Sequence, residues 1–463
     1  MILARRKLIL NALSAALAAL LLAASTPLRA QFPGFEQSQE PAKKLKKHVP
    51  PNPIAGPPPS IPPAYSIPVD VLGFAPPGPI YLGQRVNLVS LDFLDEDHLL
   101  FTFRVPGLLK RNPAYDEGAD SAQHKLRVLV LALPLGNVVA EDLWTLHDRD
   151  RYLWPLVNGG FLLRNGNILS EGDLSLKLHP ILRFPGSVTS LYLDPEAKYV
   201  VTNSYEPVES PPAASFTSPT GTGSKLAFDQ ISGQSIDATP NEEGAQSKDA
   251  EPENYVVRIL ERATGKVLLL SRSKAPVRLA INSTGYLQPL RQPGYAWELR
   301  LYHFDGSQNR ITFVNSGCLP WVDFISDSLV MATLCTAEDT TQLLTLTTDG
   351  QELWRFNLPS GTIWPQFARS LNGLRLARES LAVDHPISAS VPVEPDEIKY
   401  QRITVFNAAN GSIALSAFAA PVMMEGGNFA LSPSGRRAAV LNNNQILVWN
   451  LPPAPNLAAP KTK

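Results

Sequence analysis

The chain is poor in the residues that do most protein chemistry. It has two cysteines and seven histidines in 463 residues. The histidines are scattered, and none sits at His-Glu-x-x-His spacing, so no pair is set to hold a metal on one helix face. No Gly-x-Ser-x-Gly turn presents a nucleophile. Gly221-Thr222-Gly223-Ser224-Lys225 lacks the Gly-x-x-x-x-Gly-Lys spacing and the preceding strand of a phosphate loop. The acidic turn Asp95-Glu96-Asp97 lacks the glycine and distal glutamate of a calcium loop and reads as a solvated turn. Net charge is -1, so there is no basic excess for nucleic-acid phosphates. Beyond the N-terminus, no uncharged apolar run is long enough to span a bilayer. No catalytic residue, metal ligand or cofactor site is expected.

Proline is abundant, at 43 residues, and its placement divides the chain. Residues 1–30 read as a secretory signal peptide. Arg5, Arg6 and Lys7 form the charged start, Leu8 to Ala24 the apolar run, and Leu28-Arg29-Ala30 the cleavage site. An uncleaved anchor is the alternative. Periplasmic or secreted localisation follows, with no membrane span in the mature chain. Residues 31–65 form a linker, with the basic cluster Lys43-Lys44-Leu45-Lys46-Lys47-His48 and three proline runs that favour extended polyproline II. Residues 207–253 carry Pro, Ser, Thr, Gly, Asn and acids with almost no large apolar side chains, so they read as a disordered insertion. Residues 381–397 read as a loop and 454–463 as a tail.

The body, 66–453, is a series of short strands. Its clearest unit runs from Phe429 to Asn450. A strand leads into Leu431-Ser432-Pro433-Ser434-Gly435, where Pro presets φ and Gly permits a positive φ. A second strand turns at Asn442-Asn443-Asn444, and a third ends in Trp449-Asn450. Ser190 to Val201 repeats the start of this pattern around Asp194-Pro195. Turn glycines measure the period: Gly265 to Gly306 is 41 residues and Gly306 to Gly350 is 44. A period in the low forties is one four-stranded propeller blade. The fold class is all-β, a single β-propeller of seven blades, with six as the alternative. In blade two the strands are expected at 154–157, 160–163, 174–178 and 181–184. The last blade supplies only three strands before Pro452-Pro453, so a segment between Ser66 and Arg85 is expected to add the fourth, with Ile80-Tyr81-Leu82 the preferred piece.

With Trp449-Asn450 standing where that family has Trp-Asp, the repeat resembles the WD40-like propellers. Ala263-Thr264-Gly265-Lys266-Val267-Leu268 and Thr348-Asp349-Gly350-Gln351-Glu352-Leu353-Trp354 resemble the blade turn of quinoproteins and of bacterial outer-membrane assembly propellers. That resemblance implies a structural role, with Gly making the turn and Trp packing between blades. The adjacent cysteine pair found over the quinone in some of those enzymes is absent, so no quinone is expected.

Trp154, Trp321 and Trp364 fall near the starts of three first strands, which line the central channel of a propeller, and they form a candidate binding rim; packing between blades is the alternative. Cys318 and Cys335 lie nine residues either side of a turn at Ser326-Asp327-Ser328, so a plain hairpin would set them opposite and allow a disulfide; two free thiols are the alternative. The expected function is a monomeric, exported, non-enzymatic binding or scaffolding propeller. Its partner is an unidentified protein or envelope ligand. The alternative is a propeller enzyme, such as a quinone-dependent dehydrogenase or a lyase-like protein.

Overall fold

The computed structural model describes residues 61–76, 89–105, 124–146, 151–206, 254–336, 341–358, 362–363, 366–383, 397–423 and 427–455. All belong to one compact unit within Pro50–Lys463. Their strands form seven antiparallel sheets, each a meander in chain order except the last. Blade one is Val89–Phe93, His98–Arg104, His124–Ala132 and Asn137–Leu146; blade two is Leu153–Pro155, Phe161–Asn165, Ile168–Gly172 and Leu178–Arg183. Blade three is Ser187–Leu193, Tyr199–Tyr205, Tyr255–Glu261 and Val267–Ser273; blade four is Ala280–Ile281, Gly285–Arg291, Ala296–His303 and Gln308–Asn315. Blade five is Trp321–Ser326, Leu329–Cys335, Thr341–Thr347 and Glu352–Asn357. Blade six opens with two short pieces, Thr362–Ile363 and Phe367–Arg369, both paired to Arg375–Val383, then adds Ile398–Asn407 and Ile413–Ala419. Blade seven is Phe429–Leu431, Arg437–Asn442, Gln445–Asn450 and, from the other end of the chain, Tyr65–Pro68. This is a seven-bladed β-propeller.

Ring closure uses both ends of the described chain. Tyr65↔Val448 through Pro68↔Gln445 completes blade seven, so the closing strand is Tyr65–Pro68. Ile80-Tyr81-Leu82, the expected piece, lies outside the described residues. The physical reason for the earlier choice of strand is burial: Ile67, Val69 and Phe74 are all sealed into one core with blades one and seven. A second latch joins the first hairpin turns of those blades. Ser434 N–H donates to the Glu96 carboxylate at 2.8 Å, and Arg437 donates to the Glu96 carbonyl. The acidic turn Asp95-Glu96-Asp97 therefore serves as part of the closure.

Two strand assignments differ from the sequence expectation. In blade two the third strand is Ile168–Gly172, whereas Leu174 to Leu178 mostly form a turn. Asp173 accepts from Ser175 N–H and Lys177 N–H, and Leu176 takes φ +61°, so local side-chain bonding overrides the apolar alternation there. In blade six, pairing continues to Val383↔Ile398, so Leu381 to Val383 are strand. Residues 207–253 lie outside the described set. Their flanks are paired as strands two and three of blade three, with Glu206 N–H donating to the Asn254 carbonyl at 2.7 Å. Arg258 grips both Glu206 carboxylate oxygens at 2.7 and 2.8 Å.

Blades are keyed to one another through their outer turns. Trp354, on the outer strand of blade five, is fully buried, and its indole N–H donates to the Ala408 carbonyl of blade six at 2.8 Å. The Gly411 turn of blade six lies directly on that indole. The motif tryptophan thus packs between blades, as its resemblance implied. A Cβ on Gly411 would lie 2.6 Å from the ring, and its φ is +70°. Gly411→Ala is expected to destabilise the ring by roughly 2–4 kcal/mol, combining overpacking with left-handed strain. Gly306→Ala, where φ is +88° but nothing lies within 4 Å, should cost only the strain, about 1–2 kcal/mol. Urea midpoints of the two variants measure the difference, and equal midpoints would refute the keying.

Cys318 and Cys335 are disulfide-bonded, with Cα atoms 5.6 Å apart. The route to that contact is not the plain hairpin. A bulge between Phe324 and Ser326 shifts the register, and strand pairing runs from Ser326↔Leu329 out to Trp321↔Thr333. Cys318 lies before the strand, in the segment crossing from blade four. Gly317 N–H donates to the Cys335 carbonyl at 2.8 Å, and Cys335 N–H to the Ser316 hydroxyl at 3.0 Å. The bond therefore clamps the crossover between blades four and five, a closure worth about 3 kcal/mol by chain entropy.

Candidate functional site

The first strands surround a central cavity of about 410 Å³. A strand shows alternate residues to one side, and in four blades two such residues face this cavity. They are Ser90 and Asp92, Ser190 and Tyr192, Trp321 and Asp323, and Phe367 and Arg369. Arg151 and Arg278 reach in from the segments leading to blades two and four, and Arg164 from the second strand of blade two. Among the described residues the lining holds four arginines and three aspartates, Asp92, Asp194 and Asp323.

One wall is a stack to which four successive blades each give one side chain. The Arg278 guanidinium lies 4.0 Å from the centre of the Trp321 ring and 4.9 Å from that of Tyr192. Trp321 in turn stacks on Phe367 at 4.7 Å between ring centres. Cation–π contacts of this kind hold a guanidinium plane in one orientation. Arg278 also donates to Asp323 at 3.1 Å. Arg369 lies 3.7 Å from the other Asp323 oxygen, and it donates to the carbonyls of Phe324 at 2.7 Å and Leu193 at 3.0 Å. It thereby straps blade six to blades five and three near the ends of their first strands.

The other wall belongs to blades one and two. The Asp92 side chain is largely buried, accepts from the Ser90 hydroxyl at 2.6 Å, and lies 3.7 Å from the Arg151 guanidinium. Burial pushes its carboxyl up to about 6, against the opposing pull of Arg151 and Ser90. Arg151 keeps half of its side-chain surface accessible. Its Nε donates to the Leu153 carbonyl at 2.9 Å, which fixes the guanidinium plane. Asp194, at the first turn of blade three, accepts from Tyr199 N–H at 2.6 Å and Glu196 N–H at 3.2 Å, so its role is to hold that turn.

Of the three tryptophans singled out in the sequence, two line the cavity. Trp154 is 8% exposed and packs mainly into the core between blades two and three. Trp321 is half-buried and belongs to the stack. Trp364 lies outside the described residues. Sequence reasoning missed the charged lining. The signal was present: Asp92 and Asp323 are acids inside otherwise apolar strands, at positions of one parity with Ser90 and Trp321. Among the described residues no group of acids, histidines and cysteines is placed to hold a metal ion. No helix among them is long and apolar enough to cross a membrane.

No family model matches the chain, and no curated protein matches it. Among solved structures it is similar to the acylaminoacyl peptidase of Pyrococcus horikoshii, at 8% identity and a TM-score of 0.45, over 80% of this chain and 52% of that one. The chain thus spans about half the length of that peptidase. It is also similar to the WD40 domain of Toxoplasma gondii coronin, at 9% identity and a TM-score of 0.42, over 81% and 82% of the two chains. A putative TolB from Agrobacterium tumefaciens matches at 11% identity and a TM-score of 0.35, over 68% and 94%. At such distance the likeness is one of fold, and the blade count rests on the strand pairing itself.

Proposed function

We propose that this protein is an exported binding propeller whose ligand seats in the central channel. The observation that carries the reading is the channel lining: guanidiniums and half-buried aromatic rings converge on one cavity of about 410 Å³. That volume falls in the usual range for small-molecule sites. The signal-peptide pattern of residues 1–30 and the pairing of both cysteines support export, since disulfides persist in oxidising compartments. The test is ligand fishing from an extract of the native envelope. Full-length protein and a Trp321→Ala variant are incubated with the extract, desalted and analysed by mass spectrometry. A small molecule held by the wild type and lost from the variant is expected. Retention of nothing, or equal retention by both, would sink the channel reading.

A further inference from the structure

The chain has four Asn-Gly pairs: Asn158-Gly159, Asn165-Gly166, Asn372-Gly373 and Asn410-Gly411. We infer that Asn158, in the first hairpin turn of blade two, is a site of spontaneous covalent modification. In the folded protein it converts to aspartate and isoaspartate ahead of the other three. The site needs no ligand in the channel, so it stands or falls apart from the binding function.

An asparagine before glycine is open to this reaction because no Cβ on the next residue shields its amide nitrogen. The Gly159 nitrogen attacks Asn158 Cγ and closes a succinimide ring. The proton of that nitrogen leaves with the side-chain NH2 group as ammonia. Water then opens the ring. Attack at Cγ restores the ordinary main chain and leaves aspartate. Attack at the main-chain carbonyl leaves isoaspartate, whose backbone runs through Cβ and Cγ and is longer. No oxidant, reductant or enzyme is required.

The structure ranks the four pairs, because an N–H held in a good hydrogen bond must release it before its nitrogen can attack. Gly411 N–H donates to the Asn407 carbonyl at 2.8 Å, and Gly373 N–H to the Ser370 carbonyl at 2.9 Å. Their asparagines are anchored as well. Asn372 donates to the Ser434 carbonyl at 2.7 Å and accepts from the Ser370 hydroxyl at 2.7 Å. Asn410 accepts from the Ser412 N–H at 3.0 Å and from its hydroxyl at 2.8 Å. Asn165 donates to the Thr145 carbonyl at 3.1 Å. Asn158 is exposed and more loosely held. Gly159 N–H reaches the Leu156 carbonyl at 3.3 Å, and Asn158 Oδ1 accepts from Gly160 N–H at 3.3 Å. Both lie beyond the usual N–H···O range of about 2.7–3.2 Å. Gly159 and Gly160 follow it, and neither adds a side chain that would fix the turn.

The turn also sits against blade one. A Cβ on Gly159 would lie 3.9 Å from the Leu94 carbonyl and 4.0 Å from the Asp95 carboxylate. Asp95 accepts from Asp97 N–H at 2.7 Å and lies 2.9 Å from His98 Nδ1. A new carboxylate and a longer backbone beside it repel Asp95 and displace the turn, so conversion weakens the contact of blades one and two.

The test ages full-length protein in mildly alkaline buffer and follows the peptide carrying each pair by mass spectrometry, with isoaspartate told from aspartate by fragmentation. In the folded protein Asn158 is expected to convert about tenfold faster than Asn165, Asn372 or Asn410, the factor set by one good hydrogen bond. In denaturing urea the four should convert within about threefold of one another, since the turns are gone and each asparagine still precedes glycine. Conversion in the folded protein as fast at any of the other three would overturn the inference. The same order and spread in urea would also overturn it, by assigning the rate to local sequence, and so would no conversion at Asn158. Asn158→Gln, whose longer side chain would have to close a larger ring, is the control, with its fold checked by circular dichroism. Aged wild type should unfold at a lower urea midpoint than fresh protein, while aged Asn158→Gln keeps its midpoint. Equal losses in both would refute the effect on the contact of blades one and two.

Discussion

Deleting residues 61–76 is expected to abolish the folded ring. The deletion removes the outer strand of blade seven and with it Ile67, Val69 and Phe74, each at most 5% exposed. Burial of such side chains contributes about 1.5–3 kcal/mol apiece, so the three account for roughly 5–9 kcal/mol. Phe74 adds edge contacts to Phe101 and Phe103 at 5.6 and 5.5 Å. A domain of this kind has about 5–15 kcal/mol in total. The deletion also bares the strand Gln445–Asn450 as an open edge, a template for aggregation. The chain should elute as aggregate and show no cooperative melting. Ile67→Ala is the milder form, expected to cost about 2–5 kcal/mol with the ring intact. A deletion variant with an unchanged melting temperature would show that the ring closes some other way.

Asp92→Asn is expected to stabilise the protein at neutral pH. Burial raises the Asp92 carboxyl from its ordinary 3.8 to about 6. A carboxyl raised on folding favours the native state most below its unfolded value. That contribution is lost as pH climbs from about 4 through 6. Above pH 7 the ionised group therefore costs roughly 3 kcal/mol, at about 1.4 kcal/mol for each pH unit of displacement. The amide can still accept from the Ser90 hydroxyl and carries no charge to desolvate. Urea unfolding across pH 5 to 8 should show the variant gaining on the wild type as pH rises, approaching that figure at pH 8. A variant less stable than wild type at pH 8, or a gain independent of pH, would contradict this account.

The turn chemistry and the period were enough to specify a β-propeller, with the choice of seven blades over six left to the strand pairing. Ser432-Pro433-Ser434-Gly435 and the turn glycines are local devices, read from neighbours within five residues, so the hairpins and the spacing of Gly265, Gly306 and Gly350 were legible in one dimension. Trp354 was also legible, because its motif names both the turn and the packing residue. The missing strand of blade seven was inferable from a count, yet its identity was not. Tyr65-Ser66-Ile67-Pro68 and Ile80-Tyr81-Leu82 have similar strand character in sequence, and what marks the former is its pairing with Gln445–Asn450 and the burial of Ile67 in one core with blade one.

The disulfide shows the same division. Two cysteines allow a single pair by arithmetic, but the bulge at Phe324 and Ser326 decides which backbone segments they join. The channel lies furthest from the sequence. Arg151, Arg278 and Arg369 are separated by more than ninety residues at each step, and nothing local distinguishes them from surface arginines. Only ring closure brings them around one cavity, because seven first strands must meet there whatever their side chains. The sequence by itself determined the all-β propeller architecture and most of its hairpin turns, since these depend on hydrophobic alternation and turn residues close in the chain; it left the blade count between seven and six and missed the third strand of blade two. The tertiary structure alone decided which strand closes the ring and which charges face each other, since both depend on contacts between residues far apart in the chain.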